Sequence, residues 1–225
     1  MIKTIQNYRH IFIISIILIS VASCSKSTFR GTIDYDVSYP GSRIDYATQE
    51  ALPSKMNVSA NDNLVKKEMI GGELIQTQIS DSETETLDIL LEIMGQKYHI
   101  QKTKEEVLAA LKELPEPKFE YTAETKEILG YTCHKVEAVS YDEYGEEIVS
   151  VIYFTKDVPG FPFNFDLPYR EIPGLMLVYE LKVGDINMRF EAKEIKERRR
   201  GTGKRGFKIP SGYDKTTYEE LRKKL

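Results

Sequence analysis

The chain has no tryptophan, three histidines and only two cysteines in 225 residues. Two cysteines, Cys24 and Cys133, cannot make the disulfide framework that staples small secreted domains. None is needed, because a chain of this length buries most of the apolar surface it exposes when unfolded. His99 and His134 lie far apart and lack the spacing of a zinc site, so no metal is expected. There is no G-x-S-x-G elbow and no Cys/His/Asn signature, and the carboxylates are too numerous to single out an acid/base couple. Gly203-Lys204 is followed by Arg205 rather than Ser or Thr, and position 198 is not glycine, which excludes a P-loop. The reading is therefore non-enzymatic and without a cofactor. A net charge of −4 argues against a dedicated nucleic-acid binder. With 41% hydrophobic and 29% charged residues and no repeat, what remains is an ordinary globular chain.

Nor is there an apolar run long enough to span a bilayer. The longest, residues 11–21, is broken by Ser15 and Ser20. Preceded by Lys3 and Arg9 and followed by Ala22-Ser23, it has the form of a signal-peptide h-region. Val21-Ala22-Ser23-Cys24 resembles the lipobox of bacterial lipoproteins, which implies cleavage before Cys24 and acylation of that cysteine. Each buried methylene of such an anchor contributes about 0.8 kcal/mol. Ser25 is not the aspartate that retains such proteins in the inner membrane of enterobacteria, so the resemblance implies an outer-membrane lipoprotein facing the periplasm. The expected organisation is a signal peptide at 1–23, a lipid-anchored tether at 24–28 and one β domain at 29–225. Cys133 is then the one unmodified thiol, and its place within a strand suits a small buried hydrophobe.

From residue 29 the pattern alternates. Ile33, Tyr35, Val37 and Tyr39 share one face of a strand, with Thr32, Asp34, Asp36 and Ser38 on the other. Turn residues then recur at short intervals and predict strands at 55–60, 64–70, 73–79, 84–94 and 97–101. Such consecutive hairpins give an antiparallel meander. Thr103-x-x-Glu106 opens a helix over 103–114 with Val107, Leu108, Leu111 and Leu114 on one stripe, stopped by Pro115. That stripe is expected to cap the concave face of the sheet. Further strands follow at 118–126, 131–141, 148–156, 175–183, 186–196 and near 206–209, with a turn at 143–145. Residues 214–225 read as a closing helix with Tyr218, Leu221 and Leu225 inward.

The loop 157–174 carries Pro159, Pro162, Pro168 and Pro173 among Phe161, Phe163, Phe165 and Tyr169. Stiffened by proline and rich in apolar area, it suits either a flap over a hydrophobic cavity or a plug filling the open end of the sheet. Its four rings, with Leu108 and Leu111, are the candidate ligand-binding residues. Lys196, Arg198, Arg199, Arg200, Lys204 and Arg205 read as a basic hairpin tip, either solvated or facing anionic head groups. Asp81, Glu83 and Glu85 alternate and would share one solvated strand face.

Two motifs carry a resemblance. Residues 125–135, Thr-Lys-Glu-Ile-Leu-Gly-Tyr-Thr-Cys-His-Lys, are similar to the "TKxIxGYxCxKA" signature of small exported proteins named for a "GLPGLI" motif, with Val136 in place of the final alanine. Ile172-Pro173-Gly174-Leu175-Met176 stands where those proteins carry Leu-Pro-Gly-Leu-Ile, and Tyr153-Phe154-Thr155 is close to their "WYT". Gly130, Tyr131, Cys133, Pro173 and Gly174 are the motif residues. Gly130 suits a bend where a Cβ would clash, and Pro173-Gly174 a turn with positive φ at the glycine. That family is in turn similar in fold to the LolA/LolB-like lipoprotein carriers. The resemblance implies a mainly β, α+β fold: a strongly curved antiparallel sheet forming an incomplete barrel, with a capping helix and a C-terminal helix. It also implies a hydrophobic or acyl-chain ligand in the half-barrel cavity. The other reading is a non-catalytic interaction module that docks an unidentified partner in the cell envelope.

Overall fold

A computed structural model describes residues 29–42, 44–72, 74–141, 145–198 and 203–224. The expected signal peptide at 1–23, Cys24 and the expected tether 24–28, residues 142–144 of one expected turn, and Arg199 and Arg200 all lie outside the described residues.

Twelve strands make one sheet: β1 (Arg30–Ser38), β2 (Lys55–Asn61), β3 (Leu64–Gly71), β4 (Leu74–Asp81), β5 (Thr86–Ile93), β6 (Gln96–Lys102), β7 (Lys118–Ile128), β8 (Tyr131–Tyr141), β9 (Glu147–Pro159), β10 (Gly174–Val183), β11 (Ile186–Glu197) and β12 (Asp214–Lys215). Their spatial order is β12-β6-β5-β4-β3-β2-β1-β11-β10-β9-β8-β7. Two meanders thus meet where β1 pairs with β11, and the sheet stays open, with β7 at one edge. Pairing is antiparallel except at the other edge, where the two residues of β12 run parallel to β6. Short turns set the register: Ile93 pairs with Gln96 across Met94-Gly95, and Ile128 with Tyr131 across Leu129-Gly130. In both turns the two central residues have positive φ, the geometry that matches strand twist.

Alternation sorts the side chains onto two faces. Ile33, Tyr35 and Val37 of β1, Met56, Val58 and Ala60 of β2, and Val65 and Lys67 of β3 all point inward and are buried. On the outer face β1 presents Asp34 and Asp36 to solvent beside Lys193 and Glu194 of β11. The inner face holds the main core, and a second cluster lies where Leu87, Ile89 and Leu91 of β5 and Ile100 of β6 meet Val107 and Leu221. Fully burying an aliphatic or aromatic side chain contributes about 1.5–3 kcal/mol, so these two clusters are the main source of stability.

Four short helices complete the chain: α1 (Tyr46–Ala51), α2 (Lys104–Lys112), α3 (Phe161–Asn164) and α4 (Tyr218–Arg222). Helix α2 starts as its sequence predicts. The Thr103 hydroxyl accepts from the Glu106 amide, and the Glu106 carboxylate accepts from the Thr103 amide. Among the described residues no helix is long and apolar enough to cross a membrane.

The last thirty residues depart from expectation. In place of a strand near 206–209 there is a 3-10 turn, Lys204–Phe207, which seats Phe207 on Ile79 and Leu90 on the outer face. Residues 214–215 are β12 rather than the start of a helix, and α4 is one turn opened by a Thr217/Glu220 capping box. Of its expected inward residues Leu221 is buried, Tyr218 is exposed, and Leu225 lies outside the described residues. A single apolar anchor, Phe207, can hold an otherwise polar segment on the sheet without a regular hydrogen-bond ladder. A periodicity reading does not register it.

Candidate functional site

The loop 157–174 enters the inside of the sheet. Gly160 caps α3, Pro162 sits in its first turn, and the chain then returns through 165–173 to start β10. Phe163 packs edge-on against Phe29, and Tyr169 against Phe119. Phe165 is fully buried in the β5–β6 cluster. Both halves of the sheet therefore curl around this one segment. Of the two readings of the loop, the packing is that of a plug.

Polar groups fasten the plug. Lys67 projects from the inner face of β3, and its ammonium donates to the Phe163 carbonyl (3.0 Å) and to both oxygens of Asp166 (2.9 and 3.1 Å). The Lys67 and Asp166 side chains are only 9% and 3% exposed, so this ion pair is desolvated. Asn164 donates to the carbonyls of Ile172 and Gly174. Tyr169 donates to the Glu180 carbonyl, and Tyr35 to that of Met176. Burial pushes the phenols of Tyr35, Tyr169 and Tyr179 upward, so Tyr35 and Tyr169 stay protonated as donors across the physiological range. At the outer rim Glu85 accepts from Lys104 (2.7 Å) and Arg170 (2.9 Å). Lys104 first, and Arg170 with it, holds that carboxyl below its ordinary value against the opposing effect of desolvation. Glu85 is not on a solvated strand face with Asp81 and Glu83. The chain turns at 82–85, and Glu85 takes a left-handed φ of 54°.

Beneath the plug, between Tyr35, Met56, Lys67, Phe163 and Tyr179, only about 10 Å³ is left, about enough for one water. A larger space than this lies at the rim, and a wider hollow of about 610 Å³ lined by Asp34, Asp36, Lys55, Asn57, Lys193 and Glu194 lies elsewhere on the sheet. A groove of about 330 Å³ runs between α2 and the plug, walled by Leu108, Leu111, Leu114, Pro117, Phe119 and Leu167. Lys112 and Arg170 stand on its margin with Glu116 and Glu171. Past Leu114, Pro115, Pro117, Leu167 and Pro168, which are common to both, a second hollow of about 150 Å³ continues over Ala138, Ile148 and Leu181. The two hollows adjoin as one trough whose lining is mainly apolar but includes charged residues of both signs.

The structure therefore divides the candidate ligand residues. Leu108 and Leu111 line the first hollow and Tyr169 the second. Phe163 and Phe165 are core. Phe161 is 40% exposed, outside the groove, with the Arg170 guanidinium 6.0 Å from its ring. Helix α2 caps the inner face through Val107, with Leu111 packed beside it, while Leu108, Leu111 and, just past the helix, Leu114 also line the groove. Lys67 and Asp166 were not singled out by sequence reasoning, and Glu85 was read there only as part of a solvated strand face. The legible signal is a lysine at an inward position of β3, between Val65 and Met69.

The motif residues are structural. Gly130 has no neighbour that a Cβ would meet; its φ of +83° in a two-residue turn is what favours glycine, not a clash. Gly174 is the reverse case. Its φ is not positive, and a Cβ would fall on the Thr155 carbonyl where β9 and β10 are irregularly paired. Pro173 offers its carbonyl to the Gly160 amide (3.2 Å). Tyr131 bonds Glu197, and burial, reinforced by that carboxylate, pushes its phenol up to about 12. Cys133 is wholly buried and its thiol is pushed up to about 11, the state of an inert packing residue.

His99 is buried against Asp88 (2.7 Å) and His134 packs on Phe154. Among the described residues no three His, Cys, Asp or Glu side chains converge on a metal-sized site. The basic run is not a hairpin tip: β11 ends at Glu197, and the described part continues into the 3-10 turn.

No protein-family model matches the chain, and no curated protein matches it. Among solved structures, PNGF-II in space group C2 matches 87% of this chain at 17% identity with a TM-score of 0.50. The match covers 32% of the PNGF-II chain, so this chain spans about a third of that protein's length. At that identity the likeness is one of fold: mostly β, with one large open sheet.

Proposed function

We propose that this protein is a non-catalytic, lipid-anchored module of the bacterial outer membrane, facing the periplasm, that holds a hydrophobic acyl-chain ligand in the rim groove. We propose further that its open sheet is a LolA-like half-barrel of the GLPGLI-type exported family, with the plug occupying the inside. The observation that carries the ligand reading is the trough of about 330 Å³ between α2 and the plug, which falls within the size range of small-ligand sites. Its walls are Leu, Pro and Phe, which suit methylenes. Lys112 and Arg170 in the lining, beside Glu116 and Glu171, are the groups that could meet a polar head. Titration with a fluorescent fatty acid tests it. Leu111→Asp is expected to weaken uptake at least tenfold, because a carboxylate in an apolar wall must be desolvated by the chain. Phe161→Ala is expected to leave uptake unchanged. Equal uptake by wild type and Leu111→Asp contradicts the groove.

The filled interior favours one second reading, an interaction module that docks an envelope partner. It predicts no acyl uptake at all and a protein captured by the same groove.

A further inference from the structure

Between Glu197 and Asp214 the sequence holds six cations, Arg198, Arg199, Arg200, Lys204, Arg205 and Lys208, and no carboxylate. Across 198–225 ten Lys and Arg stand against three Asp and Glu, in a chain whose net charge is −4. The positive charge is thus gathered in one segment while the body is acidic. Of the described members, Arg198, Lys204, Arg205 and Lys208 are exposed, and none of them makes an ion pair among the described residues. They are also held in place. Phe207, between them, is buried on Ile79 and Leu90, which fixes the 3-10 turn to the outer face of β4 and β5.

Their position relative to the N-terminus gives the charge a direction. The amide of Arg198 donates to the carbonyl of Arg30 (2.8 Å), where β1 begins, and Gly31 pairs with Glu197. The basic segment therefore leaves the sheet at the point where the chain from Cys24 enters it. Arg30 lies six positions after Cys24, a reach of about 20 Å at full extension. A lipid on Cys24 would hold this end of the sheet against the bilayer surface.

We infer that Arg198, Lys204, Arg205 and Lys208 form a membrane-contact surface for anionic phospholipid head groups, which sets the orientation of the anchored protein. The inference rests on the lipid-anchor reading above. An anchor of several acyl chains attaches the protein without orienting it, and a polybasic patch beside it adds a second, directional contact. Each cation close to an anionic surface contributes roughly fivefold in affinity. The acidic body is repelled by the same surface, which leaves the basic segment as the favoured contact.

The test reconstitutes the full lipidated chain in phosphatidylcholine vesicles with and without phosphatidylglycerol and follows amide hydrogen exchange. Exchange of 204–213 is expected to slow several-fold only with phosphatidylglycerol. The protection should vanish in high salt and in the quadruple variant Arg198→Gln, Lys204→Gln, Arg205→Gln, Lys208→Gln, whose melting temperature should match wild type because all four side chains are exposed. Equal exchange on both vesicles overturns the inference while leaving the anchor intact. Failure to associate with neutral vesicles at all instead removes the anchor. Retention on heparin with no preference for anionic vesicles overturns the membrane assignment in favour of a soluble polyanion.

Discussion

At the scale of single residues, two backbone sites separate causes that look alike in sequence. Leu129 and Gly130 both take positive φ, 54° and 83°, in one two-residue turn, and only the glycine does so freely. A leucine there costs about 1 kcal/mol, so Leu129→Gly or Leu129→Asn is expected to stabilise the protein by about that amount in urea unfolding. Gly174→Ala should do the opposite and cost 2 kcal/mol or more, as overpacking against backbone does (about 1–3 kcal/mol), because the Thr155 carbonyl cannot move aside. Cys133 gives a chemical test. Its thiol is raised from about 9 to about 11 by burial, with Asp157 adding to the effect. The thiol's contribution to stability is therefore complete below pH 9 and lost as pH rises through 11. Native protein at pH 8 should resist iodoacetamide at the Cys133 peptide, and unfolded protein should be labelled fully. Turn residues were legible from sequence, but the reason for each glycine was not. A positive φ and a close carbonyl leave the same letter.

At the scale of elements, strand positions followed from alternation and turn chemistry, and β8 runs over 131–141 as its pattern predicts. The helix start at Thr103 was equally plain, since a capping box is a local feature. Long-range seating was not legible. The plug, the parallel pairing of β12 and the docking of Phe207 are set by contacts between residues far apart in the chain, such as Lys67 with Asp166 and Phe207 with Ile79, to which a local period is blind. The ion pair between β3 and the plug illustrates the energetics. Removing one partner, by Lys67→Met or Asp166→Leu, strands a buried charge and should cost about 3–5 kcal/mol. The double variant should recover most of that, because an apolar pair of similar size no longer carries the desolvation penalty. A double-mutant cycle by chemical denaturation measures this; additive losses would mean that the two groups are not coupled. Glu85 contributes in a similar sense at the rim. Its depressed carboxyl stabilises the fold above the ordinary glutamate range and loses that contribution as pH falls below it, so Glu85→Gln should flatten the acid limb of the stability profile.

At the scale of the whole molecule, the plug decides what space the inside of the sheet leaves open. An open sheet of twelve strands would leave a large concavity, but Phe163, Phe165 and Tyr169 fill it, and the free apolar surface is displaced to the trough beside α2. The free edge at β7 is guarded against strand addition by its lysines and glutamates and by a register shift between Tyr121 and Thr125. Leu108 and Leu111 were legible as an apolar stripe, whereas their partner surface across the plug was not. The measurement that tests the central claim most directly is photo-crosslinking of the full chain with a diazirine-bearing fatty acid, followed by peptide mapping. The account predicts adducts on residues 108–119 and 167–171, competed by unlabelled fatty acid. Adducts confined to the outer strands, or labelling that competitor does not reduce, would contradict it.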